Sequence, residues 1–143
     1  MKKLFALVLV ALCGLVLNNA AWADDLKAME GKWTVEKAEA NGEAIDPEAL
    51  KDVLVTIKGD RYELLVKDHK DAGTIKLDET QKPKTMDGTD TEGEDVGKVT
   101  KAIYELSGDT LRVCYTFDGG ERPKEFATKP DSKLLLVTYK REK

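Results

Sequence analysis

The stretch Gly31-Lys32-Trp33, near the start of the chain, and the stretch Tyr139-Lys140-Arg141, near its end, together decide the predicted fold. A large indole at the mouth of the first strand can fill one end of a small barrel, since aromatic rings bury much apolar surface. A guanidinium in the last strand can lie across the face of that ring. The pair therefore predicts a β-barrel closed at one end by Trp33 and Arg141.

The segments between these two stretches alternate between apolar and polar residues and are separated by turn signals such as Asn41-Gly42. Eight strands are predicted: Gly31–Ala40, Val53–Lys58, Arg61–Lys67, Gly73–Asp78, Lys84–Thr89, Lys98–Leu106, Leu111–Phe117 and Lys133–Arg141. Their short connections favour antiparallel neighbours. The expected fold is all-β, an eight-stranded antiparallel barrel, with a two-sheet sandwich as the alternative.

One short helix is predicted between the first two strands. Asp46 is a suitable N-cap, Pro47 suits the first helical position, and Glu48 favours the positive end of the helix dipole. Leu50 is expected to pack this helix against the barrel.

Residues 1–23 have the features of a secretory signal peptide. Lys2 and Lys3 precede an apolar run from residue 4 to residue 17, and Ala21-Trp22-Ala23 forms a cleavage site. Acylation at Cys13 and an uncleaved anchor are the alternatives. Cleavage leaves residues 24–143 as one barrel domain without a stable membrane anchor, and predicts a periplasmic or extracellular protein.

Composition excludes several classes of function. The net charge of −4 and the absence of a basic stripe argue against a nucleic-acid partner. Cys114 would be the one cysteine left after cleavage, so it cannot form an internal disulfide, and it is expected to be a buried, inert thiol. Neither a catalytic constellation nor a cofactor motif is found, so we expect a non-enzymatic protein without a cofactor.

The sequence also resembles an uncharacterised family of exported bacterial lipocalin-like domains over almost all of residues 26–141. Five stretches carry the resemblance: Glu30–Val35 with Ala38–Gly42, Lys82–Asp87, Ile103–Leu111, Cys114 with Glu121-Arg122-Pro123 and Phe126, and Tyr139–Arg141. The resemblance implies a calycin-type barrel and transfers no catalytic or binding residues. Unlike classical lipocalins, the sequence is expected to have no long helix after the last barrel strand and to have a short helix between its first two strands instead.

The predicted barrel interior supplies the candidate ligand-binding residues: Trp33, Tyr62, Leu64, Tyr104, Tyr115 and Phe117. A barrel of eight strands can be filled by side chains or can hold one small ligand. With few long loops, a filled or nearly filled interior is the favoured expectation. Two functions stay open: a barrel that binds a small apolar or amphipathic molecule, and a solid-core interaction module that contacts other envelope or secreted proteins.

Three further features suggest ordinary surface roles. The acidic stretch Asp87–Asp95 could supply oxygen ligands to calcium, but it lacks EF-hand spacing and is expected to be a solvated loop. His69 is the one histidine, too few for a zinc site, and is expected in an exposed turn. Arg122 is expected to pair with a local carboxylate in a turn fixed by Pro123.

Overall fold

The computed structural model describes residues 24–117 and 119–143, so the predicted signal peptide and the alternative at Cys13 lie outside the described residues. Two short helices and nine strands make up the described chain. In chain order they are α1 (Asp24–Ala28), β1 (Gly31–Ala40), β2 (Glu43–Ala44), α2 (Pro47–Leu50), β3 (Val53–Lys58), β4 (Arg61–Val66), β5 (His69–Asp78), β6 (Lys84–Glu92), β7 (Val99–Ser107), β8 (Thr110–Thr116) and β9 (Leu134–Arg141).

The strands form one antiparallel sheet that closes on itself, which confirms the predicted eight-stranded barrel. From β3 to β9 each strand pairs with the next along the chain. β1 pairs with both β3 and β9, and its register places Trp33 opposite Val55 on one side and Arg141 on the other. β2 is an extra two-residue strand that pairs with the end of β1. The predicted helix is α2, where the side chain of Asp46 accepts a hydrogen bond of 3.0 Å from the backbone N–H of Glu48.

Two strands extend beyond their predicted limits at the same place in the barrel. β5 begins at His69 rather than Gly73, so the predicted polar turn is reduced to Lys67 and Asp68. β6 continues to Glu92, so residues 87–92 of the predicted acidic loop are strand. The alternation was not visible there because the outward-facing residues and several inward-facing ones are polar or glycine.

The antiparallel order divides the connections between the two ends of the barrel. The turns after β3, β5 and β7 lie at the end that also holds α1, Gly31 and Arg141, which we call the closed end. The connections after β1, β4, β6 and β8 lie at the opposite end, which we call the open end. Each wall strand therefore leads from one end to the other.

Residues 119–133 connect β8 to β9 and cover part of the outer surface of the barrel. Under them the outward-facing side chains of Ile103, Cys114 and Thr116 are buried. The Arg112 guanidinium lies 4.3 Å from the centroid of the Phe126 ring, which fixes the segment against β8. Cys114 is thus buried as expected, outside the barrel interior, with its thiol pointing to the carbonyl oxygen of Ala127 at 3.9 Å.

Candidate functional site

A cavity of about 430 Å³ occupies the barrel between the closed end and the open end. Contrary to expectation, the side chains therefore do not fill the interior. Most of its wall is aliphatic or aromatic and comes from alternate residues of the strands, including Trp33, Val55, Ile57, Leu64, Ile75, Met86, Leu111, Val113 and Val137. At the open end, half-buried Ile45 and Leu50 from the connection after β1 complete the wall.

Trp33 forms the floor of the cavity and is completely buried. Its indole N–H donates a hydrogen bond of 2.8 Å to the carbonyl oxygen of Met29, just after α1. The Arg141 guanidinium lies over the indole ring, 4.3 Å from its centroid. The predicted contact between Trp33 and Arg141 is therefore present in the structure, and the buried side chain of Met29 extends the same cluster.

Arg141 also ties the ends of the domain together. Its guanidinium donates to the carbonyl oxygens of Ala28 and Glu30, and its Nε lies 3.0 Å from Oδ1 of Asp109 in the turn after β7. Gly31 permits this approach, because a Cβ there would lie 2.9 Å from a guanidinium nitrogen and the residue has a φ of +135°. The closed end is thus sealed by hydrogen bonds as well as by the indole.

Tyr104 lies in the core beneath the cavity and does not line it, which corrects its assignment as a ligand-binding candidate. Its hydroxyl donates a hydrogen bond of 2.7 Å to Oδ2 of Asp25 in α1, and Lys84 Nζ lies 3.0 Å from the same oxygen. Burial acts to raise the pKa of Asp25, but the hydrogen bonds from Tyr104, Lys84 and Glu79 outweigh it and lower that pKa. Tyr104 therefore fastens α1 to the barrel.

Tyr62 crosses the inner surface of three strands. It lies opposite Gly73 on β5, where a Cβ would be 2.6 Å from its hydroxyl, and it reaches Gly88 on β6. Its hydroxyl donates a short hydrogen bond to the Asp90 carboxylate, which also lines the cavity. Burial, this hydrogen bond and the charges of Asp90 and Asp71 all raise the pKa of Tyr62, so the hydroxyl keeps its proton.

Two further tyrosines line the cavity on the side of the barrel opposite to Tyr62. Tyr115 on β8 and Tyr139 on β9 share a short hydrogen bond between their hydroxyls. Burial is the largest cause that raises the pKa of each phenol. Both hydroxyls are therefore neutral and can donate or accept a hydrogen bond at the cavity wall.

Four of the six predicted candidates line the cavity, namely Trp33, Tyr62, Leu64 and Tyr115. Phe117 does not, because it lies beyond the end of β8 at Thr116, and the residue is 42% exposed. Asp71, Asp90 and Tyr139 line the cavity and were missed. Met86, Gly88 and Asp90 are alternate residues of β6, so the inward direction of Met86 was a signal that Asp90 also faces inward. The signal was missed because glycine and aspartate are not typical of an apolar interior.

The acidic stretch, His69 and Arg122, which were singled out in the sequence, do not come together in one site. Asp87 faces outward and pairs at 2.7 Å with Arg122, which also donates to the carbonyl oxygens of Met86 and Ala102. The partner of Arg122 is thus on a distant strand instead of nearby in sequence. His69 is exposed, as expected, but it begins β5. Within residues 24–117 and 119–143 no three histidine, cysteine or carboxylate side chains are grouped to hold a metal ion.

Comparisons with known protein families and curated proteins identify no similar protein, so a functional proposal has to be based on the fold and the cavity. No protein-family model matches the chain, and no curated protein is significantly similar to it. None of the helices in the described part of the chain is long and apolar enough to cross a membrane.

Proposed function

We propose that this protein is an exported, non-enzymatic, lipocalin-like barrel that binds a small apolar or amphipathic molecule in its interior. The observation that carries the proposal is the cavity of about 430 Å³ with Trp33 as its floor. Ligand pockets have volumes of about 300–1,000 Å³ and apolar walls with a few polar groups. The described cavity has these properties, because tyrosine hydroxyls and two carboxylates interrupt an otherwise apolar wall.

The alternative function, an interaction module with a solid core, requires a filled interior. Side chains that line a cavity of this size lack packing partners across it, and the loss of these contacts destabilises the fold. A bound molecule would restore them. The cavity therefore favours ligand binding over the solid-core alternative. Surface contacts with an envelope protein would not need it.

Native mass spectrometry of the protein purified from its own host tests the proposal directly. We expect a second species, heavier by the mass of one small molecule, that organic extraction converts to the bare chain. A bare chain alone, combined with no binding of apolar probes by calorimetry, would contradict the proposal.

Two neighbouring residues of β3 provide a matched pair of variants. Val55 lines the cavity, whereas the side chain of Leu54 points to the opposite face of the sheet. Val55→Trp is expected to fill part of the cavity and to abolish the bound species. Leu54→Trp adds the same ring outside the cavity and should retain it. Equal occupancy in both variants would show that the ligand binds elsewhere.

The export part of the proposal rests on residues 1–23. Expression of the full chain in a Gram-negative host should give a mature protein that begins at Asp24. A mature protein that begins at a diacylated Cys13 would replace the soluble form with a lipid-anchored one.

A further inference from the structure

The charged groups in the wall of the cavity are all of one sign. Asp71 on β5 and Asp90 on β6 are the ionisable carboxylates among the lining residues, and no lysine, arginine or histidine in the described chain lines the cavity. A charge at an apolar wall is costly to desolvate unless a partner compensates it. The wall therefore suits a ligand that brings a positive charge and disfavours one that brings a negative charge.

Asp90 is held in position by Tyr62. The Tyr62 hydroxyl keeps its proton, so it acts as a donor and orients the Asp90 carboxylate. A carboxylate has about four acceptor positions, so one hydrogen bond from a phenol leaves positions for a ligand N–H. Asp90 is thus an oriented acceptor beside an apolar surface.

Asp71 lies on the same side of the cavity, close to its edge. Its side chain is 30% exposed, and the neighbouring His69 Nε2 lies 3.9 Å from its Oδ1. Gly93, after the end of β6, leaves the space that the Asp71 carboxylate occupies, since a Cβ there would overlap Oδ1. Gly73, two residues after Asp71 on β5, pairs with Asp90 on β6, so the two carboxylates lie near each other on neighbouring strands. The charge of Asp71 also helps to raise the pKa of Tyr62.

The open end carries the same sign of charge. Residues 41–52, which include α2 and border the cavity through Ile45 and Leu50, contain four carboxylates and one lysine. A negative entrance raises the local concentration of cations and speeds their association. The entrance and the wall thus favour the same class of molecule.

We propose that the ligand is an amine-bearing amphiphile whose ammonium group binds between Asp71 and Asp90 and whose hydrocarbon part lies against the apolar wall toward Trp33. This inference rests on the proposed function, because it specifies the ligand of the same cavity. Charge-assisted hydrogen bonds from the ammonium to two carboxylates would supply the selectivity.

Three probes with the same tail separate the two proposals: octylamine, octanol and octanoate, titrated into the protein by calorimetry at pH 7 and moderate salt. Octylamine is expected to bind about tenfold more tightly than octanol, the ratio that corresponds to ~1.4 kcal/mol. Octanoate should bind more weakly than octanol, because its charge repels the same carboxylates.

Asp71→Asn and Asp90→Asn keep the shape of each side chain, remove its charge and replace one acceptor oxygen by an NH2 donor. Each is expected to remove most of the preference for octylamine over octanol. Asp60→Asn is the matched control, since it removes one charge from an exposed turn at the closed end. The Asp60→Asn variant should keep the full preference for octylamine over octanol.

Four outcomes are informative. The expected order of affinities, lost in Asp71→Asn and Asp90→Asn and kept in Asp60→Asn, supports the inference. Equal affinities for the three probes overturn it and leave the cavity as a site for neutral ligands. A preference for octylamine that Asp60→Asn also removes reflects net charge and overturns it too. No binding by any probe contradicts the proposed function itself.

Discussion

Trp33 connects stability and function within one side chain. Its ring is completely buried, hydrogen-bonded through the indole N–H to Met29 and covered by the Arg141 guanidinium. The same ring lines the cavity. Because Trp33 belongs to both the packed closed end and the cavity wall, a change at this residue alters the fold before it alters the site.

Replacing Trp33 by alanine should lower the free energy of unfolding by about 3–5 kcal/mol, since a large buried ring is removed and a void is left at the closed end. Urea denaturation monitored by circular dichroism measures this loss. Trp33→Phe keeps an aromatic surface under Arg141 and should lose less. Unchanged stability of Trp33→Ala would refute the structural role of the ring.

Gly73 marks a position where no side chain fits. A Cβ there would overlap the carbonyl oxygen of Thr89 and lie 2.6 Å from the Tyr62 hydroxyl. Gly73→Ala is therefore expected to cost about 1–3 kcal/mol in unfolding free energy through overpacking. Gly88→Ala is the control, because its Cβ would meet its nearest neighbour at 3.8 Å. Equal stabilities of the two variants in urea would contradict the close packing of Tyr62 on β5.

Among the elements, α1 depends on a small polar cluster rather than on its own length. It has five residues, too few for a stable isolated helix, and it is fastened by the contacts of Asp25 with Tyr104 and Lys84. The lowered pKa of Asp25 means that this stabilisation is present above the ordinary carboxyl value of 3.8 and is lost as pH falls through the lower value.

Asp25→Asn should therefore reduce the unfolding free energy at pH 7 by about 1–3 kcal/mol, the loss of hydrogen bonds to a charged group. The substitution should also make the free energy of unfolding less dependent on pH below about 4, because residue 25 can no longer be protonated. Urea titrations at pH 7, 4 and 3 measure both effects. Asp52→Asn, at an exposed position of the open end, should retain the pH dependence of the natural chain. An equal pH dependence in Asp25→Asn would contradict the assignment.

The wall strands were predictable because burial imposes a period of two on them, as in Arg61–Val66. α1 escaped prediction, since five residues are too short to show a helical period. Phe117 continues the alternation of Leu111, Val113 and Tyr115, but periodicity does not show where a strand ends. The outer segment 119–133 also buries Cys114 from the outside, so a buried residue of this strand need not face the interior.

In the whole molecule, closure of the sheet places all four tyrosines in protected surroundings. The pKa of each of Tyr62, Tyr104, Tyr115 and Tyr139 is raised, with burial as the largest cause in every case. A raised tyrosine pKa contributes stability that is fully present below the ordinary value of 10 and is lost as pH rises above it.

Alkaline titration followed by tyrosinate absorbance is therefore expected to show no ionisation near pH 10 while the barrel is folded. The four phenols should ionise together when the barrel unfolds at higher pH. The chain in concentrated urea is the control and should titrate near 10. Reversible ionisation of one or more tyrosines near pH 10 with an unchanged circular dichroism spectrum would contradict their burial.

The size of the cavity could not be read from the sequence. Tyr62, Leu64 and Tyr115 face the interior as predicted, yet interior-facing residues fill a barrel only if they meet across it. Gly73 and Gly88 lie beneath the Tyr62 ring. Because these glycines have no side chain, the large Tyr62 side chain can lie along the wall and away from the barrel axis. Such a choice of direction depends on the register between three strands, which no single strand encodes.

The position of Trp33 at the floor has a spectroscopic consequence. It is the one indole of residues 24–143, so the tryptophan emission of a chain made of these residues reports on a single site. A ring shielded from water emits at short wavelength, and the Trp33 ring both contacts the Arg141 guanidinium and lines the cavity. Arrival of a ligand should therefore change the intensity of that emission, giving an intrinsic signal of occupancy without any label.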